Sequence, residues 1–450
     1  MVDDSRYISN KYLEEFEENE FNLNLIKKKI SEFSLKLNNE IENHRNYSVY
    51  CGVGGILYMD IVLYECSKDV KYLELGKKII RNLNNYKQKN TITFLEGITG
   101  IYSLSSMLYY YLENEKSFSY IELLTNHLIH NMDELRSVNE ECELLYGKCG
   151  YIYSFLFCRN IWLNSKYKNT ILKNLYFIVN SIFEYGLTKS NLMRNITSLS
   201  LHFEWHDKIY LGAAHGYSGI LFVLFNLINF FFNNLNELCL LLIGEDKDIE
   251  KEERKEILQK YKDLTTNKLN DYIKLIYKVT DEILSLYVTD DFNVYSSIRK
   301  EKMKKKKEVL IQWCHGNPGF VILLIELLKY EKVPNYFQNK YNVQYIEKMG
   351  SLIWEKGLLS KGLGLCHGIS GNGIIFLYLY NYTKDKIWYL RSLKYALFSI
   401  KYFDRFYNLP DRPDSLFEGY AALVVFLSFI LKPELNYFLG HDFSKFLMND

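Results

Sequence analysis

Residues 362–373 read G-L-G-L-C-H-G-I-S-G-N-G, and the apolar run I-I-F-L-Y-L-Y follows at once. Cys366 and His367 therefore sit side by side in a glycine-rich turn that opens a helix-length apolar stretch. The arrangement recurs upstream as W-C-H-G-N-P-G (313–319), which holds Cys314 and His315. It occurs again, without the cysteine, as G-A-A-H-G-Y-S-G (212–219), which holds His215. The repeated frame is G-x-x-G followed by roughly ten apolar residues, and such self-similarity is the first thing to seek in a long chain.

Working outward, the pairs are Gly52/Gly55, Gly97/Gly100, Gly147/Gly150, Gly216/Gly219, Gly316/Gly319 and Gly368/Gly371. A seventh pairs Gly419 with Ala422. Amphipathic stretches such as Trp388 to Phe403 lie between the apolar runs. One repeat thus reads as an inner apolar helix opened by small residues, then an outer amphipathic helix. Glycines at the openings let backbones approach closely. Proline is scarce and alternating strand patterns are nearly absent, so the fold class is all-α. Seven helix pairs closing into an α/α toroid hide the apolar ends that an open solenoid must cap. We expect one domain over residues 1–450. The long step between Gly216 and Gly316 marks a charged insertion, about 233–309, read as a solvated loop. Its lysine run (Lys300, Lys302, Lys304, Lys305, Lys306 and Lys307) offers a docking patch for an acidic partner or for peripheral membrane contact.

Bulk properties narrow the function classes. The formal net charge is +1, so no global field attracts nucleic acid. A hydrophobic content of 48%, with 16% aromatic, is ample for a large core. Eight cysteines follow no regular disulfide framework, and Met1-Val2-Asp3-Asp4 does not open a signal peptide; both point to reduced thiols and a cytoplasmic protein. Gly219 to Gly244 holds a single charge, Glu237, but Asn226, Asn229, Asn233, Asn234 and Asn236 interrupt it. It reads as a core helix running into a second helix, not as a transmembrane segment.

Two thiolates and an imidazole from Cys314, Cys366 and His367 make a zinc-binding set. The two thiolates balance the ion's charge, and three protein ligands leave one position for water or substrate. Inert buried cysteines, or a closed structural site completed by His315, are the alternatives. Coordination deprotonates a thiol, so the reaction class is thiol addition to an electrophile. Addition to an activated alkene leaves a carbanion that needs a proton, and an imidazole near the metal, His215, is placed to supply it. Two other patterns carry nothing. His202 and His206 in H-F-E-W-H lack the zincin spacing, because Glu204 is at the wrong position. The glycine clusters follow no strand, so they are not dinucleotide loops.

Taken together the motifs resemble the lanthionine synthetase C-like (LanC-like) family, the eukaryotic relatives of bacterial lantibiotic cyclases. They are L-Y-G-K-C-G-Y-I-Y (145–153), E-W with G-A-A-H-G (204–216), W-C-H-G-x-P-G (313–319), G-L-L-x-K-G-x-G-L-C-H-G-x-x-G-N (357–372) and S-L-F-E-G (415–419). The resemblance implies a seven-fold α/α toroid around a zinc held by Cys314, Cys366 and His367. It implies that His215 is the acid/base group and that Glu143 stands for the cyclases' aspartate. His315 replaces the cyclases' tyrosine, as in eukaryotic members, and joins His215 and Glu143 as a candidate catalytic residue. Those members are linked to glutathione and to its addition onto dehydroamino acids in damaged proteins. Carried over, the glutathione contacts fall on Lys361 and on Asn408 to Asp411, where Asn408 replaces an arginine and Arg412 is offered as its substitute. Arg6 is a further contact, from the R-x-x-x-N-x-Y spacing of Arg6, Asn10 and Tyr12. The expected function is zinc-dependent glutathione transfer to an electrophile such as a modified protein or peptide. The alternative is a non-catalytic zinc scaffold that senses glutathione or binds a signalling partner.

Overall fold

A computed structural model describes residues 6–14, 16, 22–44, 46–85, 91–137, 141–244, 251–298 and 310–443. Seven helices begin at the small-residue turns: α2 (Val53–Ser67), α4 (Ile98–Leu112), α6 (Lys148–Phe157), α8 (Tyr217–Asn233), α10 (Pro318–Leu328), α12 (Ile369–Thr383) and α14 (Ala421–Leu431). Seven others alternate with them in the chain: α1 (Leu23–Asn39), α3 (Lys71–Arg81), α5 (Asn114–His130), α7 (Lys168–Leu192), α9 (Lys251–Leu286), α11 (Val343–Lys356) and α13 (Lys386–Lys401). Each even-numbered helix packs on the next, and α14 packs back on α2, so the inner layer closes into a ring. The all-α toroid read from the repeats is therefore the observed fold.

Side-chain patterning explains the two layers. An inner helix such as α14, A-A-L-V-V-F-L-S-F-I-L, is apolar all round and buries every residue from Ala421 to Ile430. Outer α3 buries Tyr72, Leu73, Gly76, Ile79 and Ile80, one stripe at helical spacing, and exposes Lys71, Glu74, Lys78 and Arg81.

The turns that open the inner helices hold one another through backbone hydrogen bonds. Tyr50 N–H donates to the Leu95 carbonyl (2.9 Å), Phe94 to Gly150 (3.1 Å), Leu144 to Ala214 (3.3 Å) and Ala213 to Trp313 (3.2 Å). Cys314 donates to Cys366 (3.4 Å), Cys366 to Phe417 (2.9 Å) and Phe417 to Tyr50 (3.1 Å), which completes the circle. The second glycine of each G-x-x-G has a steric reason. A Cβ at Gly150 would stand 1.9 Å from the Leu144 carbonyl oxygen, and one at Gly371 would stand 2.0 Å from that of Leu365.

The stretch 233–309 differs from the solvated loop expected of it. It contains the helix Leu235–Ile243 and then α9, the outer helix of the fourth pair, which packs on α8. Leu269, Ile273, Ile276, Tyr277 and Ile283 bury its inward face. Dense charge on the other face masked that spacing. The lysine run from Lys300 to Lys307 lies outside the described residues. A two-residue ladder pairs β1 (Ile209–Tyr210) with β2 (Ser297–Ile298). Among the described residues no single helix is long and apolar enough to cross a membrane; α8 and Leu235–Ile243 together would be, but they meet at a bend of 83°.

Seven helices around a ring leave an axial lumen. Residues 436–443 fill it beneath the turns. Tyr437 meets Tyr58 of α2 and Phe429 of α14, Phe443 stacks on Tyr153 of α6, and His441 meets Phe222 of α8 edge-on. The Tyr378 hydroxyl of α12 donates to Asp442.

Gly371→Ala should destabilise the fold by about 2 kcal/mol or more, because the methyl group cannot enter without moving the turn. Chemical denaturation measures this. Stability equal to wild type would remove the steric account of the repeat.

Candidate metal and acid–base site

Neighbouring turns carry the two cysteines. Cys314 precedes α10, and Cys366 with His367 precedes α12. The Cys314-to-Cys366 backbone bond joins them. One Cys314 sulfur, one Cys366 sulfur and one His367 ring nitrogen all lie within 4.8 Å of one another. Both thiols are buried, and Gln312 Nε2 donates to Cys314 Sγ at 3.1 Å. The Cys314 thiol is held well below the usual thiol range, first by a hydrogen bond from Cys366, then by His367, against the opposing effect of burial. Cys366 is pushed well above that range by burial and by its neighbour Cys314, while a hydrogen bond with Tyr50 acts the other way. One thiolate thus forms readily and the second is opposed for want of positive charge. A soft divalent cation between the sulfurs removes that opposition. The donor set, two sulfurs and one imidazole, fits zinc with one coordination position left over.

The adjoining turn carries His215. Gly212 permits its approach: a Cβ there would stand 2.0 Å from the Cys314 carbonyl oxygen. His215 Nδ1 lies 2.9 Å from Glu143 Oε2. Glu143 is itself buried and pinned, since its carboxylate accepts from the backbone N–H groups of Leu145 (2.7 Å) and Tyr146. The carboxylate accepts from Nδ1–H, which leaves Nε2 as the nitrogen available to the site. Trp205 stacks face to face on the imidazole (ring centroids 3.8 Å apart, 6° between planes), and Tyr146 lies parallel at 6.1 Å. The Tyr210 ring stands 5.9 Å from His215 and 5.5 Å from His315, so it bridges the acid–base turn and the thiol turn.

This constellation sits on a closed seven-pair toroid, and that combination can be compared with known proteins. The profile of the family described as lanthionine synthetase C-like protein matches residues 43–443. The chain belongs to that family. A relative from Danio rerio, glutathione S-transferase LANCL1, is 28% identical over 415 residues, which cover 91% of this chain and 88% of that protein. LanC-like protein GCL1 from Arabidopsis thaliana is 22% identical over 407 residues, covering 88% and 81%. Among solved structures, nisin cyclase superposes with a TM-score of 0.61 at 15% identity, over 91% of this chain and 95% of that one.

Within this LanC-like chain the remaining expected contacts gather at one rim. Tyr7 pairs with Leu359, and Ser360 N–H donates to the Arg6 carbonyl at 3.1 Å. Exposed Arg6 therefore lies alongside exposed Lys361. Gly362, at φ +143°, abuts Pro410 of the 408–412 loop. Asn408, Asp411 and Arg412 are exposed. Asp411 and Arg412 line a cavity of about 420 Å³ together with His44, Asn46, Cys51 and Asp414. Cys51 follows Tyr50, which hydrogen-bonds Cys366, so this cavity adjoins the thiol centre.

Trp205, Tyr146, Tyr210, Tyr50 and Gln312 were not singled out from the sequence. Trp205 and Tyr146 lie inside quoted motifs, which was the available signal. In the rejected H-F-E-W-H pattern fully buried His202 lies 3.6 Å from Glu204, which also binds Lys189 at 2.9 Å, while His206 is exposed in a tight turn at φ +47°.

In metal-free protein, thiolate ultraviolet absorbance should show one thiolate persisting at pH well below about 8.5, the free-cysteine value. Its folded-state pKa is depressed, so ionisation is lost only as pH falls through that low value. Cys366→Ala removes the donor and should move this transition upward. Two transitions both at the ordinary value would contradict the shared-proton geometry.

Proposed function

We propose that this chain is a zinc-dependent transferase that adds the thiolate of glutathione to an activated carbon–carbon double bond, such as that of a dehydroamino residue in a protein or peptide. The observation that carries this reading is the Cys314–Cys366–His367 cluster next to a turn whose His215 is paired with Glu143, with the Tyr210 ring meeting both His215 and His315, the neighbour of Cys314. The Danio rerio relative, named a glutathione S-transferase, supports the choice of thiol. The eight cysteines, all among the described residues, form no disulfide, which suits the reducing cytoplasm where glutathione is abundant.

Zinc held by Cys314, Cys366 and His367 would favour the deprotonated form of a thiol at its open position. The chain's own residues do the rest. Arg6, Lys361 and Arg412 supply positive charge at the rim for glutathione's two carboxylates. The Arg412 guanidinium takes the place of the arginine missing at Asn408. Trp205 covers one face of the His215 ring, and Tyr146 and Tyr210 lie beside it. The glutathione sulfur bonds to the β-carbon as the double bond opens, and the electron pair moves onto the α-carbon and its carbonyl. His215 Nε2 then delivers a proton to the α-carbon, while Glu143 holds Nδ1 and fixes the ring's direction. The net change is one S–C bond and one C–H bond for one π bond and one S–H bond, and the proton the thiol gives up replaces, through solvent, the one His215 delivers.

Conjugation of glutathione to a dehydroalanine peptide, followed by mass spectrometry, tests this. Cys366→Ala should abolish both metal and product. His215→Ala should keep the metal and lose roughly 10²–10⁴-fold in rate. Lys361→Ala and Arg412→Ala should raise KM for glutathione and leave kcat nearly unchanged. A His215→Ala enzyme at full rate would remove the acid, and tight glutathione binding with no turnover would favour a sensing scaffold.

A further inference from the structure

The centre described above is approached from outside by the rim and from inside by the C-terminal segment. Trp313, the residue before Cys314, is completely buried. Its indole Nε1–H donates to His441 Nδ1 at 3.0 Å. Phe438 of the same segment stacks on the indole at 5.2 Å with 17° between planes. The Trp313 carbonyl accepts from Ala213 N–H, two residues before His215. The backbone of Ser218, three residues after His215, lies against the His441 ring. His441 thus touches both the turn that carries Cys314 and the helix start that carries His215. It is fully buried, and burial pushes its pKa down to about 3, so the imidazole stays neutral and keeps its acceptor nitrogen for Trp313.

We propose that residues 436–443 form an axial plug whose His441 is a positioning residue for the metal centre: by accepting the Trp313 indole N–H, it fixes the turn on which Cys314 meets Cys366 and His367. The chain of cause is short. The Cys314 sulfur is one covalent step from a backbone whose preceding side chain is clamped between Phe438 and His441. Backbone bonds tie this turn to its neighbours on the ring, and the clamp on Trp313 holds it from the lumen side. The lumen-filling aromatics Tyr437 and Phe443 supply stability, and His441 supplies direction. Partners that orient a metal's ligands commonly govern affinity by 10- to 100-fold, even though they never touch the ion.

The inference rests on the metal reading, and its test separates the two. Cobalt affinity is measured by competition on wild-type, His441→Leu, His441→Gln and Tyr437→Phe proteins, with thermal unfolding of each. Every affinity is taken well below that variant's midpoint. His441→Leu should lose roughly tenfold or more in affinity. His441→Gln, which retains an acceptor, should recover most of it. Tyr437→Phe should leave affinity unchanged, whatever it does to stability. Trp313→Phe should reproduce the His441→Leu loss, and the two together should lose no more than either alone. If wild type binds no cobalt, the metal reading and this inference fall together. If wild type binds tightly and His441→Leu binds as well, or if affinity follows the unfolding midpoint across all variants, the plug is structural only and the inference alone is overturned.

Discussion

The circle of backbone hydrogen bonds that joins the seven turns is the constraint on which the rest depends. Each bond links a turn to the next: Tyr50 to Leu95, Phe94 to Gly150, and so on until Phe417 returns to Tyr50. A single such bond contributes only about 1 kcal/mol net, but breaking one that is buried leaves two polar groups unsatisfied, at roughly 1–3 kcal/mol. Closure makes the ring mutually reinforcing, since no turn can tilt without stretching the bonds on both sides. The glycines are the steric condition for this. Where the carbonyl of Cys314 or Leu144 must pass within 2 Å of a would-be Cβ, at Gly212 and Gly150, no other residue fits.

Chemistry follows from this geometry. Seven turns converge on one face, and their side chains are delivered without any helix having to bend. Three of the turns carry imidazoles, and two of those also carry the thiols that meet, Cys314 and Cys366. The thiols share a buried space that tolerates one negative charge and resists a second. In the proposed function a cation relieves that resistance, and its open position receives an incoming thiol. The neighbouring turn holds His215, whose ring is fixed by a buried carboxylate and a stacked indole and which serves as the proton carrier in the proposed function.

Much of this was legible in the chain. The G-x-x-G frame with its apolar tail marks all seven inner helices, including the one at Gly419 where Ala422 replaces glycine. Cys314, Cys366 and His367 could be brought together on paper because equivalent positions of repeated turns face one axis. What could not be read depends on contacts between repeats. Glu143 gains meaning only when the third turn meets the fourth, and it was found through the resemblance, not from spacing. Trp205 belongs to no repeat and lies in a hairpin-like turn whose approach to His215 has no sequence period. The buried face of Lys251–Leu286 was diluted by charge on its other face. Residues 436–443 follow the last repeat, so a reading built on repeats had no place for a segment that fills the hole in the middle.

The central claim is that the two thiols and His367 hold a metal with one position open to a thiol. Cobalt reports its own ligands through thiolate charge-transfer absorption. Cobalt-substituted protein titrated with glutathione should begin with the spectrum of two thiolates and gain charge-transfer intensity, saturating at one glutathione per chain. A spectrum that glutathione leaves unchanged would contradict the open position, and protein that binds no cobalt would contradict the site itself.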